Sequence, residues 1–304
     1  MKKIDFASNM DFFRGAVKPL QRMNAALHEF YQQPEAWKIR AACASGVQII
    51  FETDTVELKW ECKFGEAARQ IFTVDIFVDG QLYTIDGEDA RILTLAPGKK
   101  LVKIELPHLA VITDYAVSVD DSAFVSPVAE NRPKLLVCGD SIMQGMTCSS
   151  PSRAAVSIAA NELDMVLHNV SVGGVIMRPE TVRDSLPIGG DVVIVALGIN
   201  DIAQKTPMDV FRERTRSVLE MLNGFSGKSI IITPIPSTRD DLEEKRGEIC
   251  QIIREEQQKF PRVNLLEGDD FFPQSDDYLC DQLHPNDAGM AVYGKAIIEK
   301  IRNI

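Results

Sequence analysis

Apolar and polar residues alternate along much of the first half of the chain. Between about residues 36 and 127, short stretches carry an apolar residue at every second position, which is the period of a half-buried strand. The dipeptide Asp79-Gly80 separates two of these stretches and favours a hairpin turn. Strands at such regular spacing predict an antiparallel β-sandwich of jelly-roll type. Residues 18–34 fit either a short helix or an irregular lead-in.

The period changes after the stretch SPVAENRPK. Apolar runs of strand length now alternate with helical patterns, and runs such as VVIVAL have no polar alternation, as expected of parallel strands buried on both faces. Thr206 is expected to cap a helix whose first residue is Pro207, and the last helix is expected to start near Asn286. The pattern predicts a three-layer α/β domain with a parallel sheet. The predicted strands are 134–138, 166–170, 192–197, 229–233 and 263–266, and the predicted domains are 1–130 and 131–304.

Composition narrows the classes of partner. The formal net charge of −11 argues against a nucleic-acid partner and an anionic membrane surface, because both attract clustered Lys and Arg. No apolar run of signal-peptide or transmembrane length is present, and six scattered cysteines form no CxxC pair. These features predict a reduced, cytoplasmic protein, although a leader removed before this sequence begins stays open. The sequence does not indicate an oligomeric state.

Polar residues follow four of the five predicted parallel strands, where ligands bind in such sheets. Gly139-Asp140-Ser141 follows the first strand, Gly173-Gly174 the second, and the stretch LGIND the third. The stretch CDQLHPND lies past an acidic loop after the fifth strand. Serine hydroxyl, imidazole, carboxylate, amide and free backbone N–H groups are the components that acyl transfer needs.

Each of these groups has a chemical role to fill. A serine hydroxyl is a weak nucleophile that needs a neighbouring base, and His284 is the candidate base for Ser141. Asp281 lies three residues before His284, so its carboxylate can orient the same imidazole. Backbone N–H groups of Ser141 and a glycine, with the amide of Asn200, can stabilise an oxyanion.

The order Gly-Asp-Ser, glycine, Gly-x-Asn-Asp and Asp-x-x-His resembles the SGNH (GDSL-type) hydrolases, which are esterases and lipases on a flavodoxin-like α/β/α fold. The first block has Ile142 where the family commonly has Leu, whereas the third and last blocks are intact. The resemblance covers residues 132–304. It implies that Ser141 is the nucleophile, His284 the general base and Asp281 its orienter. It also implies that Gly174, preferred over Gly173 by its spacing from Asn169, completes the oxyanion hole with Asn200.

Other polar residues have simpler interpretations. Asp140 is interpreted as a cap for the turn that carries Ser141, and Asp201 as structural. The isolated histidines at 28, 108 and 168 show no metal-ligand spacing, and His168 is expected in or near the core. Trp37 and Trp60 fit either sugar-stacking platforms or buried sandwich aromatics. The acidic loop EGDDFFPQSDDY lacks the spacing of a known calcium loop and is interpreted as a solvated turn.

These observations predict a serine esterase that needs no metal or organic cofactor. An N-terminal jelly roll before such a domain also resembles carbohydrate esterases that remove acetyl groups, so the preferred substrate is a short-chain acetyl ester of a carbohydrate. A lipase-like or thioesterase-like acyl hydrolase, or an acyltransferase on a small molecule, is the alternative within enzymes. A carbohydrate-binding protein with a vestigial hydrolase domain is the alternative from another class. The expected partner is a small-molecule or oligosaccharide ester.

Overall fold

The computed structural model describes residues 1–6 and 8–304. The first part of the chain forms two antiparallel sheets, one of four strands in the order β1-β9-β4-β7 and one of six. The larger sheet has the order β10-β3-β8-β5-β6, with β2 pairing β3 at the side. The strands are β1 (Lys2–Lys3), β2 (Phe13–Arg14), β3 (Gln48–Thr53), β4 (Glu57–Ala67), β5 (Thr73–Val78), β6 (Gln81–Asp86), β7 (Arg91–Thr94), β8 (Lys100–Glu105), β9 (Ala110–Val119) and β10 (Val125–Pro127).

One apolar core joins the two sheets into a sandwich. Leu58 and Trp60 of β4 and Ile49 of β3 belong to the same buried cluster, because alternate residues of each strand point inward. Asp79 and Gly80 both have positive φ and form the tight turn between β5 and β6, as predicted from this dipeptide. The β-sandwich prediction is therefore confirmed.

The second part of the chain forms a five-stranded parallel sheet in the order β12-β11-β13-β14-β15. This order, 2-1-3-4-5 in chain sequence, is the flavodoxin-like arrangement, and a buried apolar cluster covers each face. The predicted three-layer α/β fold is confirmed. The strands are β11 (Lys134–Gly139), β12 (Val166–Asn169), β13 (Val192–Ala196), β14 (Lys228–Ile232) and β15 (Val263–Leu266).

Helices flank this sheet on both sides. Among them, α4, α5, α7, α8 and α10 supply buried side chains to the two clusters. The helices are α1 (Ala25–Phe30), α2 (Glu35–Ala42), α3 (Ser141–Gln144), α4 (Ala155–Glu162), α5 (Pro179–Ser185), α6 (Ile199–Ala203), α7 (Met208–Gly224), α8 (Asp240–Gln257), α9 (Gly268–Phe271) and α10 (Asp287–Arg302). In the part of the chain that the structure describes, no helix has both the length and the apolarity to cross a membrane.

Two local predictions differ from the structure. The strand region was expected to begin near residue 36, but the stretch EAWKIRAA forms α2, because it is rich in helix-forming residues. Pro207, expected as the first residue of α7, is its N-cap instead, and the expected cap Thr206 precedes it. The N-cap of α10 is Asn286, as predicted, and its side chain accepts a hydrogen bond from Gly289 N–H.

The segment that holds α1 and α2 packs on the parallel-sheet layer. Met23, Leu27, Tyr31 and Ala41 lie in the same buried cluster as the inner residues of α5 and α7. Residues N-terminal to the predicted boundary at 130/131 therefore complete the core of the second part of the chain. This placement brings α2 to the carboxyl edge of the parallel sheet.

Candidate active site

Ser141 lies at the tight turn between β11 and α3. Asp140 is the N-cap of α3, and its Oδ1 accepts a hydrogen bond from Ile142 N–H at 3.0 Å, which confirms its interpretation as a cap. A Cβ on Gly139 would come within 2.5 Å of Met143 Cγ, so only glycine allows the helix to turn back so closely. Ser141 is therefore held at the carboxyl end of β11.

His284 is the hydrogen-bond partner of this serine. Its Nε2 lies 2.9 Å from Ser141 Oγ, although 143 residues separate the two in the sequence. His284 is held by its own loop, in which Cys280 N–H donates to His284 O at 2.8 Å. The side chain of His284 is mostly buried, so few water molecules compete for the contact.

Asp281 orients the imidazole from its other side. Its carboxylate accepts from His284 Nδ1, with distances of 2.9 Å to Oδ2 and 3.0 Å to Oδ1. The His284 backbone N–H donates to the same Oδ1 at 2.8 Å, so one residue receives both bonds. Burial opposes ionisation of Asp281, but these hydrogen bonds and the His284 charge hold the pKa of its carboxyl below its ordinary value. The three side chains predicted from sequence thus form one connected line.

The two neighbouring glycines differ in what their N–H groups contact. Gly173 N–H donates to Gln144 Oε1 at 2.8 Å, so it is occupied. In residues 1–6 and 8–304, no hydrogen-bond acceptor is found for Gly174 N–H. The N–H of Ser141 has no partner inside its helix, since it is the first residue of α3.

Asn200 lies at the start of α6, next to the same turn. Its Nδ2 is 3.1 Å from Val175 O and 3.4 Å from Asp140 Oδ2. The first contact is an ordinary hydrogen bond, whereas the second is long and weak. One amide hydrogen of Asn200 is therefore only loosely held.

A buried carboxyl group lies beneath the turn. Burial raises the pKa of Asp140 to about 7, and the nearby charge of Asp201 adds to the effect. Asp201 is itself buried and accepts a hydrogen bond from Met177 N–H at 2.7 Å, which fits its structural interpretation. Around neutral pH, Asp140 is thus poised between its two protonation states.

The family follows from these residues in their sequence context. Residues 137–292, just over half of the chain, match the model of the GDSL-like lipase/acylhydrolase family. The chain belongs to this family. The match includes all the candidate residues described above, and no curated protein sequence matches the chain.

Solved structures share the architecture of this GDSL-family chain. A salicylyl-acyltransferase from a tetracycline biosynthetic pathway is 20% identical with a TM-score of 0.73, covering 96% of this chain and 94% of its own. A GDSL-like lipase from Bacteroides ovatus has 17% identity, a TM-score of 0.79 and coverages of 96% and 93%. A family two carbohydrate esterase from Clostridium thermocellum, solved in complex with cellohexaose, has 15% identity, a TM-score of 0.60 and coverages of 84% and 91%. At these identities the likeness concerns the fold.

The N-terminal segment supplies contacts that sequence analysis missed in this GDSL-family protein. Arg40 of α2 donates from Nη1 to Gly173 O at 2.6 Å. The buried Arg22 donates from Nη1 to Asn169 O and Ser171 O, at 2.7 and 2.8 Å, and from Nη2 to Arg40 O. These arginines fasten the loop that carries Gly173 and Gly174 to the segment around α2. No motif marks them, because their contacts with this loop join residues more than 130 positions apart.

Both tryptophans and the histidines at 108 and 168 have defined surroundings. Trp60 is buried in the sandwich core, which excludes a sugar platform, whereas Trp37 is partly exposed beside Gly174. His168 is buried and its Nε2 contacts Arg22 O at 2.7 Å, which confirms the core prediction. His108 Nε2 contacts Gly145 O at 3.0 Å.

The acidic loop makes contacts to the protein. It forms α9 and a short 3-10 helix at Asp276–Tyr278, with Asp269 paired to Arg246 at 2.9 Å and Asp276 accepting from Thr238. The six cysteines are free thiols, and five of them are buried.

Proposed function

We propose that this GDSL-family chain hydrolyses a carboxylic ester by a Ser–His–Asp mechanism. The contact that carries the proposal is the 2.9 Å separation between Ser141 Oγ and His284 Nε2, with Asp281 bonded to the far side of the same ring. A hydroxyl, a base and an orienting carboxylate in line are the arrangement that activates a serine.

The reaction follows from these positions. Ser141 Oγ attacks the acyl carbonyl while its proton moves to His284 Nε2, and Asp281 stabilises the imidazolium that forms. The negative oxygen of the tetrahedral intermediate is stabilised by the N–H groups of Ser141 and Gly174 and by the loosely held hydrogen of Asn200. The imidazolium then protonates the departing alcohol, and His284 activates a water that releases the acid and restores the serine.

The proposed substrate is a short-chain, acetyl ester of a carbohydrate. A cavity of about 20 Å³, lined in part by Ile142 and Leu283, adjoins the turn and has room for roughly one water molecule. Its lining includes none of Ser141, His284, Gly174 and Asn200, so it does not determine the acyl length, and the acetyl group is proposed from the resemblance to acetyl-removing carbohydrate esterases. The overall fold is also that of a carbohydrate esterase solved with cellohexaose, which supports a sugar as the alcohol portion.

An acyltransferase is the second candidate. The structural likeness to a salicylyl-acyltransferase extends over 96% of this chain, including the N-terminal sandwich. In that case Ser141 would form the same acyl-enzyme, and an acceptor alcohol would replace water in the second step. The appearance of a new ester when acceptor alcohols are added separates this candidate from a hydrolase. A binding protein without catalysis is disfavoured, because an inactive site has no need of the Ser141–His284–Asp281 alignment.

Hydrolysis of p-nitrophenyl acetate, butyrate and octanoate by wild type and Ser141→Ala tests the proposal. We expect serine-dependent turnover that is highest on acetate. Ser226→Ala is the matched control, since Ser226 is exposed on the loop that leads into the amino end of β14, at the opposite edge of the sheet. Near-full activity of Ser141→Ala would refute the mechanism. Turnover that rises with chain length would replace the acetylesterase with a lipase-like enzyme.

A further inference from the structure

We propose that Arg40 and Arg69, here called the arginine pair, bind an anionic group of the substrate close to its scissile ester. The preferred substrate is then an ester that also carries a carboxylate, such as an acetylated uronic acid. This inference rests on the proposed esterase function and names the substrate class of the same site.

Arg40 lies directly over the proposed oxyanion donor. A Cβ added to Gly174 would be 2.8 Å from Arg40 Nη1, so this nitrogen borders the glycine itself. The same Nη1 donates to Gly173 O at 2.6 Å, which fixes the guanidinium beside the turn. The side chain comes from α2.

The rest of this guanidinium is unused. In the described part of the chain, Arg40 Nε and Nη2 have no hydrogen-bond acceptor and Arg40 has no carboxylate within ion-pair distance. Neither nitrogen is among the fully buried polar atoms that lack a partner, so both keep some exposure to solvent. The Nε–Nη2 edge is the side of a guanidinium that receives the two oxygens of a carboxylate.

The charge around Arg40 is also unusual for this chain. Acidic residues outnumber basic ones, 44 to 33, and other arginines pair with them, as Arg212 and Arg216 do with Glu256. The charged neighbour of Arg40 is instead the exposed Arg69 of the sandwich. Burial is the main cause that lowers the pKa of Arg40, and the positive charge of Arg69 lowers it further. Within residues 1–6 and 8–304 neither arginine has an ion-pair partner, and an anionic ligand would reduce the repulsion between their charges.

The indole N–H of Trp37 is a further donor beside Gly174 that binds no carboxylate in the described residues. Its Nε1 lies 3.4 Å from the position of a Cβ on Gly174, and its ring is stacked on Phe30 at 6.2 Å between centroids. The rim of the site next to Gly174 therefore presents one guanidinium group and an indole N–H, and the charge of Arg69 acts on that guanidinium. Such a set of donors is chemically matched to a carboxylate rather than to a neutral hydroxyl-rich surface.

The test compares esters that differ only in charge. On the acyl side, mono-p-nitrophenyl glutarate is compared with its neutral methyl ester, and on the alcohol side acetylated galacturonic acid is compared with acetylated galactose. We expect kcat/KM to favour the anionic member of one pair by about ten- to one-hundredfold, the range of a charge-assisted hydrogen-bond pair. The set of esters that shows the preference, acyl-side or alcohol-side, identifies which portion of the substrate contacts the arginine pair. Equal values for both pairs would overturn the proposal while leaving the esterase intact.

Variants assign the preference to the residues. Arg69→Gln and Arg40→Gln should each lower the anionic-to-neutral ratio about tenfold or more, and Arg40→Lys should retain part of it because the charge remains. Arg302→Gln is the matched control, since it removes the same charge at a distant site. Arg302 lies on α10 and pairs with Glu162 at the surface. A ratio that falls equally in Arg302→Gln would indicate general electrostatic steering and overturn the local assignment.

Binding without turnover provides an independent readout. Calorimetric titration of Ser141→Ala with acetylated galacturonic acid and with mono-methyl glutarate should give affinity that Arg69→Gln weakens at least tenfold. Raising the ionic strength from about 0.05 to 0.5 M should weaken the same affinity, because the charges are partly exposed. If Ser141→Ala with Arg69→Gln binds these compounds as tightly as Ser141→Ala alone, the proposed anion site is overturned, even if no ester is hydrolysed.

Discussion

Replacement of Asp281 by asparagine exchanges one carboxylate oxygen for an NH₂ group and tests the proposed role of this residue in the chemistry. In wild type, the carboxylate accepts from both the backbone N–H and Nδ1 of His284. An asparagine keeps one acceptor oxygen and places an NH₂ donor where the second carboxylate oxygen was, so only one of its two amide orientations can accept from Nδ1–H. If the NH₂ group of the asparagine faces Nδ1, the imidazole must carry its hydrogen on Nε2. That nitrogen can then no longer accept the proton of Ser141.

The magnitude follows from charge and exposure. Two unit charges about 4 Å apart interact by roughly 4 kcal/mol at an effective dielectric constant near 20 and by about 1 kcal/mol in water. The Asp281 side chain is 49% exposed, so we take about 2–3 kcal/mol for the lost stabilisation of the imidazolium. Disfavouring the productive tautomer adds about 1 kcal/mol. Since 1.36 kcal/mol is tenfold in rate, kcat should fall about 10²–10³-fold.

Steady-state hydrolysis of p-nitrophenyl acetate measures this loss. Asp277→Asn is the control, because Asp277 is an exposed acid of the preceding 3-10 helix and the substitution removes the same charge. Asp281→Ala leaves the tautomer unconstrained and should cost no more than Asp281→Asn. A loss below about threefold in Asp281→Asn, with the variant folded, would refute the reasoning from tautomer and charge.

Three further outcomes are expected. Asn200→Ala should lower kcat about 10²–10³-fold with little change in KM, and a loss below twofold would make it only a turn residue. Gly174→Ala should lower kcat about 5- to 30-fold, because φ is +83° there and the new Cβ would displace Arg40; wild-type rates would contradict this. Burial lowers the pKa of His108 to about 4, so unfolding takes up a proton between about pH 6.5 and pH 4. As the pH decreases through that window, His108 should therefore lower the free energy of unfolding by up to about 3 kcal/mol, as measured by urea titration. His108→Gln, which can still donate to Gly145 O, should remove this part of the pH dependence.

Much of the fold was predictable because burial leaves a period in the sequence. The alternation through Leu58 and Trp60 reports a strand with one buried face, and both side chains lie in the sandwich core. Runs without alternation, such as 192–196, report strands covered on both faces. The two misplaced boundaries lie where no such period operates, at the short helix α2 and at the first turn of α7.

The order of Ser141, Asn200, Asp281 and His284 along the chain was enough to identify the candidate site. Each of these residues follows a strand of one parallel sheet, and the carboxyl ends of parallel strands converge at one edge. The positions of these residues after the strands are therefore enough to predict that their side chains lie close together. The orienting bond of Asp281 was also predictable, because it spans only three residues within a single loop.

Only the tertiary structure decided how the loop with Gly173 and Gly174 is held and what covers it. The occupied N–H of Gly173 depends on Gln144, and the positions of Trp37 and Arg40 depend on the packing of an N-terminal segment onto the second half of the chain. These contacts join positions far apart in sequence, so no local pattern encodes them. Hydrophobic patterning and motif order predicted the sandwich, the parallel sheet and the chemistry of the candidate site, whereas long-range packing positions its backbone donors and the charge at its rim.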